Sequence, residues 1–249
     1  NTIQQLADHL KDRWHRHLPE AQKQAILEKH QTKTGKSLTD EQKTAIDHIL
    51  KPHAIACIVG RAGTGKSFCL GAAKALWESQ NVSVYGIALS GIAADGLSKD
   101  TGLPSTTIAS FCYRVENQLL TLKPHDVLVM DEAGMTDSLS MLSVLKIVHQ
   151  AKAKLVLVGD PAQLQPVGPG ASFRALVERL GFAEMQTVYR QSVPWQRQAT
   201  VDFSSGEMAK GLAAYKAQNC IHVKDTPEEA MRQLLKDWQK IICSDNKSN

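Results

Sequence analysis

The sequence lacks the features that mark secreted, metal-binding or membrane proteins. Its five cysteines form no CxxC or CxxH pair, and their odd number and wide spacing indicate reduced thiols rather than a disulfide framework or a zinc site. No apolar run approaches the roughly 20 residues that a membrane helix needs, and the polar start does not resemble a signal peptide. These absences predict a soluble, cytoplasmic protein without a membrane segment.

The chain also has little excess of charge of either sign. A formal net charge of +4 on 249 residues is compatible with a nucleic-acid partner but does not require one. The length is enough for one large α/β domain or two smaller ones with a sizeable buried core. Charge and size therefore assign no function by themselves.

The stretch from Ala54 to Ser67 fills every fixed position of the phosphate-binding P-loop, GxxxxGK[ST]. An apolar run predicts a strand over 54–59, and the apolar spacing downstream predicts a helix that begins at Lys66. Lys66 is expected to reach the β- and γ-phosphates of ATP, and Ser67 to bind Mg²⁺ through its hydroxyl. The residues predicted to line the nucleotide are Gly60, Arg61, Ala62, Gly63, Thr64, Gly65, Lys66 and Ser67.

Two acids, Asp131 and Glu132, follow the apolar strand predicted over 126–130. Asp131 is expected to position Mg²⁺, and Glu132 to polarise the attacking water. Asp and Glu are also common in the first turn of a helix. An apolar strand that ends in two acids, in a chain that holds a P-loop, favours the catalytic interpretation.

Two later residues are expected at the same edge of the sheet, where open α/β sheets bind ligands. Gln163 follows a strand predicted over 154–158, and its amide can contact both a γ-phosphate and the attacking water. Arg190 follows a short strand predicted over 184–188, and its guanidinium can neutralise charge that develops on the γ-phosphate. The alternatives are a proline-rich polar turn around Gln163 and a surface role for Arg190.

Helices are predicted ahead of the P-loop. Apolar spacing over 1–31 predicts two short helices split near Pro19, and another helix begins after Thr39, with Gln42 as its capping-box partner. Gln42 has a second interpretation, because a glutamine amide matches the donor and acceptor of the adenine edge; both roles stay open. His15 and His17 resemble a paired-histidine metal site, but no other ligands are evident, which favours a solvated helix face.

Strands joined by helices predict an α/β fold with a mainly parallel sheet flanked by helices. Additional strands are predicted over 82–89 and 220–223. Helices are predicted over 194–204 and 207–218 and after Thr226, and the apolar residues of the last helix are expected to pack in the core.

Taken together, these motifs resemble the first motor domain, 1A, of superfamily 1B (RecD-like) helicases, and more closely the helicase part of Ti-plasmid-type conjugative transfer relaxases, the TraA family. Gln42 resembles the Q motif, 60–67 motif I, 88–94 motif Ia, 107–111 motif Ib, 131–135 motif II, 159–167 motif III and 189–191 motif IV. The closer likeness is carried by 193–203, and the resemblance covers roughly residues 20–242.

The resemblance implies a RecA-like P-loop NTPase that couples ATP hydrolysis to movement on single-stranded DNA. It implies DNA contacts at Ser90, Gly91, Thr107 and Ser110. Motif Ia has Ile92 where the family usually has a basic residue, and motif Ib has Ala109 where histidine is common. These departures predict weak, salt-dependent contact with the DNA backbone.

The family's later motifs V and VI and its relaxase domain have no counterpart in the sequence. The implied organisation is an N-terminal helical segment over 1–34, a RecA-like ATP-binding domain over 35–243 and a disordered tail over 244–249. The chain is therefore expected to be a half-motor, truncated before domain 2A, with weak ATPase activity and no unwinding. A second polypeptide is a candidate source of the missing motor domain or relaxase.

Two other function classes fit parts of the sequence. A nucleotide-dependent DNA-binding or scaffold module without turnover would also carry a P-loop, and ATPase rates with and without single-stranded DNA separate it from a motor. A small P-loop kinase is disfavoured, because 159–167 resembles a helicase sensor loop and an arginine-rich acceptor lid is not evident.

Overall fold

A computed structural model describes residues 2–10, 18–61, 63–161, 168, 170–187, 189 and 193–245, with side chains up to 240. The chain divides into two compact units, Asn1–Arg190 and Gln191–Asn249. The predicted site residues Ala62, Gln163 and Arg190 lie outside the described residues, as do His15 and His17. The domain bounds 1–34, 35–243 and 244–249 stay a prediction.

The first unit is built around a six-stranded parallel sheet in the order β3-β2-β4-β5-β1-β6. Its strands are β1 (Ile55–Gly60), β2 (Val84–Ala88), β3 (Ser105–Thr107), β4 (Val127–Met130), β5 (Lys154–Gly159) and β6 (Ala183–Met185). Its helices are α1 (Thr2–His9), α2 (Glu20–Thr34), α3 (Asp40–Leu50), α4 (Lys66–Glu78), α5 (Gly91–Thr101), α6 (Ile108–Glu116), α7 (Ser138–Ala151) and α8 (Ser172–Leu180), with a 3₁₀ turn at Ala133–Met135. The predicted α/β fold with a mainly parallel sheet flanked by helices is confirmed.

Three of the four inner strands, β1, β4 and β5, are buried along their whole length. Burial on both faces explains why their sequences are continuous apolar runs rather than alternating ones. Because β5 and β4 lie between β1 and β2, the connection through α4 passes two strands before the chain re-enters the sheet. The largest buried side chains include Trp77, Phe111 and Phe173.

Two details of the strands differ from the sequence predictions. The short strand β3 was not predicted, because Ser105, Thr106 and Thr107 form no apolar run; its pairing with β2 places it. The strand predicted over 220–223 is wrong. Those residues form no strand, and all six described strands lie in the first unit. Val223 is 85% exposed, so its β-branched side chain is not packed as it would be in a sheet.

The second unit is helical, with α9 (Pro194–Ser204), α10 (Met208–Ala217) and α11 (Pro227–Asp245). The rings of Trp195 and Tyr215 join α9 to α10, edge to face with centroids 5.0 Å apart. The predicted start of α11 is confirmed, because the Glu229 N–H donates to Thr226 Oγ1 at 3.2 Å. None of the described helices is long and apolar enough to cross a membrane.

The prediction that the apolar residues of α11 pack in the core is wrong. Those with described side chains are about half exposed or more: Met231 59%, Leu234 65%, Leu235 49% and Trp238 58%. Their helical spacing does form one apolar face. Spacing identifies such a face, but it does not reveal whether the chain supplies a surface to cover it.

Lys154, the first residue of β5, is an unusual member of the core. Its side chain is fully buried, and its Nζ donates to the carbonyl oxygens of Lys51, at 2.8 Å, and His53. Lys51 is the residue that caps the C-terminal end of α3, so the amine lies at the negative end of that helix. Burial nevertheless lowers the pKa of Lys154 to about 7.

The buried amine predicts a pH-dependent stability. Between pH 7 and the ordinary lysine pKa of 10.5, the unfolded chain carries a proton that the folded chain releases, so stability rises with pH. Relative to Lys154→Met, the wild-type free energy of unfolding is expected to increase by up to about 1.4 kcal/mol per pH unit. Urea unfolding of both proteins at pH 7, 8 and 9 measures this, and parallel pH profiles would contradict it.

Candidate nucleotide-binding site

The parallel strands bring the predicted site residues to one edge of the sheet. The P-loop follows β1, the two acids follow β4, and Asp160 follows β5. A cleft of about 520 Å³ lies at this edge. It is lined by Gly63, Gly65, Lys66, Ser67, Ala93, Gly96, Leu97, Asp100, Asp131, Glu132, Gly159, Asp160 and Tyr189. Of the predicted site residues, the cleft joins Gly63, Gly65, Lys66, Ser67, Asp131 and Glu132. The predicted nucleotide residues Gly60, Arg61, Thr64 and Gln42 are described but are not among its lining residues.

The backbone of the P-loop has the conformation that its glycines were expected to permit. Gly63 and Gly65 have φ of 85° and 82°, in the left-handed region that favours glycine. The helix α4 begins directly afterwards at Lys66, as predicted. Backbone N–H groups and the positive end of the helix dipole at such a turn form an anion site, so this part of the cleft fits a phosphate.

Lys66 is folded onto the loop that it belongs to. Its Nζ donates to the carbonyl oxygens of Gly60 at 2.7 Å and Arg61 at 2.9 Å, and Thr64 Oγ1 also donates to the Arg61 carbonyl at 2.9 Å. These bonds hold the loop in a closed turn and keep a positive charge at the cleft. A bound phosphate would exchange for the carbonyls as the partner of this ammonium.

Gln42 performs the capping role that the sequence allowed. Its backbone N–H donates to Thr39 Oγ1 at 3.3 Å, and its Oε1 accepts from the Thr39 N–H at 3.0 Å. The residue is only 4% exposed, and its Nε2 would lie 2.5 Å from a Cβ built on Gly65. The Gln42 side chain therefore packs against the P-loop at Gly65. Contact with adenine stays a prediction.

Asp131 and Glu132 differ in burial and in backbone geometry. Asp131 is half-buried, and its N–H continues the sheet by donating to the Ile87 carbonyl at 3.0 Å. Glu132 is exposed at the cleft and has a φ of 53°, which is uncommon for a residue other than glycine, and its N–H donates to Asp131 Oδ1 at 2.9 Å. Backbone conformations of this kind cluster at functional sites.

The electrostatics around Asp131 connect both sides of the cleft. Burial raises the pKa of this carboxyl, the Glu132 N–H and the Lys66 charge oppose that shift, and Asp100 raises the pKa further. Asp100 was not predicted to belong to the site. It lies near the end of α5 and reaches the cleft only because α5 packs against α4. A serine hydroxyl and a carboxylate in this cleft, from Ser67 and Asp131, fit the oxygen ligands of Mg²⁺.

The turns that follow β4 and β5 pack backbone against backbone. A Cβ on Gly134 would lie 2.6 Å from the Asp160 carbonyl oxygen, and one on Gly159 would lie 2.9 Å from the Gly134 nitrogen. Any larger residue at Gly134 would therefore push the two turns apart. Gly134, two residues after Glu132, thus lets the two turns stay close enough for Glu132 and Asp160 to line the same cleft.

The predicted DNA-contact residues lie at two neighbouring helix starts. Ala88 at the end of β2 pairs with Thr107 at the end of β3, so α5 and α6 begin at the same edge of the sheet. Ser90 Oγ accepts from the Ala93 N–H at 3.2 Å, and Thr107 Oγ1 accepts from the Ser110 N–H at 3.1 Å. The described geometry brings these two hydroxyls and Gly91 to one edge of the sheet. Their DNA contact stays a prediction.

Comparison with known proteins identifies relatives of this chain. A family model described as AAA domain matches residues 37–226. The conjugal transfer protein TraA of Rhizobium radiobacter is 44% identical over 201 residues, which are 81% of this chain and 18% of TraA. The ATP-dependent RecD2 DNA helicase of Deinococcus radiodurans is 34% identical over 64% of this chain and 23% of its own length. The resemblance to RecD-like helicases and TraA proteins is confirmed.

A solved structure of the Pif1 helicase from Candida albicans has a similar fold. Its TM-score is 0.52 at 18% identity, over 67% of this chain and 44% of the Pif1 chain. At that identity the likeness supports the fold alone. The chain spans about a fifth of the length of the TraA proteins that it matches.

Proposed function

Because the chain belongs to the AAA domain family, we propose that it is the ATP-binding and ATP-hydrolysing motor domain of a DNA helicase that acts on single-stranded DNA. The observation that carries this proposal is the cleft that joins Lys66, Ser67, Asp131 and Glu132 at one sheet edge. The similarity to the conjugal transfer protein TraA supports a role in conjugal transfer, and the similarity to the ATP-dependent RecD2 DNA helicase supports a helicase motor. We therefore propose that the domain is part of a conjugative relaxase-helicase.

Each residue of the cleft has a distinct role in this proposal. The P-loop N–H groups and Lys66 bind the phosphates of ATP, and Glu132 accepts a proton from the attacking water. Ser67 and Asp131 would hold Mg²⁺, which supplies positive charge to the phosphates.

Four described cysteines, Cys57, Cys69, Cys112 and Cys220, are free thiols, which supports a cytoplasmic location.

The ATPase rate with and without single-stranded DNA tests the proposal. A motor domain is expected to hydrolyse ATP in a Mg²⁺-dependent reaction that DNA stimulates. Nucleotide binding with no turnover, with or without DNA, would instead identify a nucleotide-dependent DNA-binding or scaffold module. Lys66→Ala, assayed in parallel, shows whether any measured rate belongs to this site.

We expect slow turnover and no duplex unwinding from the 249-residue chain alone. None of the described residues that line the cleft is an arginine, and an arginine supplied across a phosphoryl-transfer site contributes about 10³- to 10⁵-fold in rate. We propose that a second lobe, in the same longer protein or in another polypeptide, supplies that group. Strand displacement on a tailed duplex is the measurement, and robust unwinding by the chain alone would contradict it.

The proposed surface for single-stranded DNA is the pair of helix starts at Ser90–Gly91 and Thr107–Ser110. Backbone N–H groups at the starts of helices suit phosphates, and α5 and α6 both begin at this edge of the sheet. Ile92 lies in the first turn of α5 and is 88% exposed. An apolar side chain therefore stands at an exposed position where a lysine or arginine could pair with a phosphate.

A lysine at position 92 is therefore expected to strengthen DNA binding. Ile92→Lys adds one cation beside the proposed phosphate contacts, so the affinity for oligo-dT should increase several-fold at low salt, and the salt dependence should steepen by about 0.7 in log–log slope. Fluorescence anisotropy across a salt series measures both quantities. The matched control is Leu119→Lys, because Leu119 is also well exposed but lies beyond the other end of α6. Equal gains from both variants would show only a general effect of charge.

A further inference from the structure

The carboxylate of Glu41 receives three hydrogen bonds from a segment far away in the sequence. Glu41 lies in the first turn of α3. Its Oε2 accepts from the N–H groups of Gln186 at 3.0 Å and Thr187 at 3.1 Å, and its Oε1 accepts from Thr187 Oγ1 at 2.9 Å. Hydrogen bonds to a charged acceptor are stronger than neutral ones, so this single side chain is a strong anchor.

The anchored segment needs such support. It follows β6, which lies at the edge of the described sheet, is three residues long and pairs with β1 alone among the described strands. Beyond the anchor, the Tyr189 N–H donates to the Gly63 carbonyl at 2.7 Å, and Tyr189 lines the nucleotide cleft. Gln186 and Thr187 therefore contact α3, and Tyr189 contacts the P-loop.

These contacts close into a ring around the P-loop. On one side Tyr189 holds the carbonyl of Gly63, and on the other side Gln42 supports Gly65. Glu41, the neighbour of Gln42, joins the two sides through its bonds to the segment after β6. The two glycines held by this ring are those whose left-handed backbone shapes the phosphate site.

We propose that Glu41 is a positioning residue of the nucleotide site, which fixes the Tyr189 segment against the P-loop and so preorganises the loop for phosphate binding. The inference rests on the proposed function, since it assigns a role within the same ATP site. A preorganised loop orders fewer groups when the ligand binds, so loss of the anchor lowers affinity for every nucleotide that uses the P-loop. Glu41 touches no phosphate in this role.

The principal test is nucleotide binding by Glu41→Ala. With ADP that carries a fluorescent ribose label, in the presence of Mg²⁺, the dissociation constant is expected to rise about 10-fold, the equivalent of one charge-assisted hydrogen bond. Glu41→Gln keeps the shape and one acceptor oxygen and should recover part of the loss. The matched control is Glu178→Ala, which removes an exposed acid on α8, away from the anchored residues Gln186 and Thr187 in the sequence.

A purely structural role for Glu41 would lower stability and leave the affinity of the folded protein unchanged. All titrations are therefore made at a temperature where circular dichroism shows every variant folded. Wild-type affinity in Glu41→Ala, or an equal loss in Glu178→Ala, would overturn the proposal. If wild type and Lys66→Ala both fail to bind nucleotide, it is the proposed function that fails.

A second measurement applies even if Glu41→Ala does not fold. Thr187→Val removes only the hydroxyl that donates to Glu41 Oε1. We expect it to weaken binding about 3-fold in the wild-type background, the size of an ordinary hydrogen bond, and to have a smaller effect in the Glu41→Gln background. An equal effect in both backgrounds would show that the two side chains act independently, and the anchor would be refuted.

Discussion

Replacing Lys66 with alanine is expected to raise the dissociation constant for ATP at least about 100-fold, because each charge-assisted hydrogen bond contributes roughly 1.5–3 kcal/mol. The ammonium is the cation that the P-loop itself holds at the cleft, through the carbonyls of Gly60 and Arg61. The side chain is not part of the core, so its loss creates no cavity there and the protein should stay folded. Isothermal titration with Mg·ATP measures the affinity, and circular dichroism checks the fold.

Lys74→Ala is the matched control for this experiment. Lys74 lies on the same helix α4, and it pairs with Glu78 at 2.7 Å on the surface rather than with the P-loop. Its removal changes the net charge equally, so a general electrostatic effect on ATP would appear in both variants. Unchanged affinity in Lys66→Ala, or equal losses in the two variants, would contradict the assignment of the P-loop as the nucleotide site.

Replacing Glu132 with glutamine should separate turnover from binding. The amide is nearly the same shape as the carboxylate but cannot accept the proton of the attacking water, so the turnover number is expected to fall by about 10²-fold or more. Binding of Mg·ATP should be retained, because Lys66, Ser67 and Asp131 are unchanged. Single-turnover hydrolysis and equilibrium titration measure the two quantities independently.

Two variants sharpen the test of Glu132. Glu178→Gln makes the same chemical change at an exposed position on α8 and should leave turnover unaltered. Asp131→Asn should instead weaken the binding of Mg²⁺, so that a higher Mg²⁺ concentration is needed for turnover, since it removes a proposed metal ligand. If Glu132→Gln hydrolyses ATP at the wild-type rate, Glu132 is not the base, and another group of the cleft must activate the water.

Several features of the site were predictable because they depend on residues that are close together in the sequence. The start of α4 at Lys66, the capping box of Thr39 and Gln42, and the buried strand before Asp131 all follow from spacing within a few positions. Parallel strands then bring such segments to one sheet edge as a matter of topology. Nucleotide chemistry at this edge could therefore be predicted before the structure.

Other features depend on which elements become neighbours. The strand β3 forms only because β2 offers a pairing edge, and Asp100 reaches the cleft only because α5 packs on α4. The exposed face of α11 shows the converse case, since a helical repeat of apolar residues does not guarantee a partner surface. Each outcome depends on which other element is available to make contacts, and the sequence of one element alone does not specify its neighbours.

The sequence by itself determined the local chemistry of this protein: a glycine-shaped phosphate loop, a lysine and a serine at the start of a helix, and two acids after a buried strand. Only the tertiary structure decided how that loop is supported. Glu41 and Thr187 are 146 residues apart, and no periodicity or motif relates them, yet their hydrogen bond helps to close a ring around the P-loop. The physical reason is that turns and helix ends depend on residues close together in the sequence. Bringing distant segments together costs conformational entropy, and that cost is offset only by contacts that form when the whole sheet is assembled.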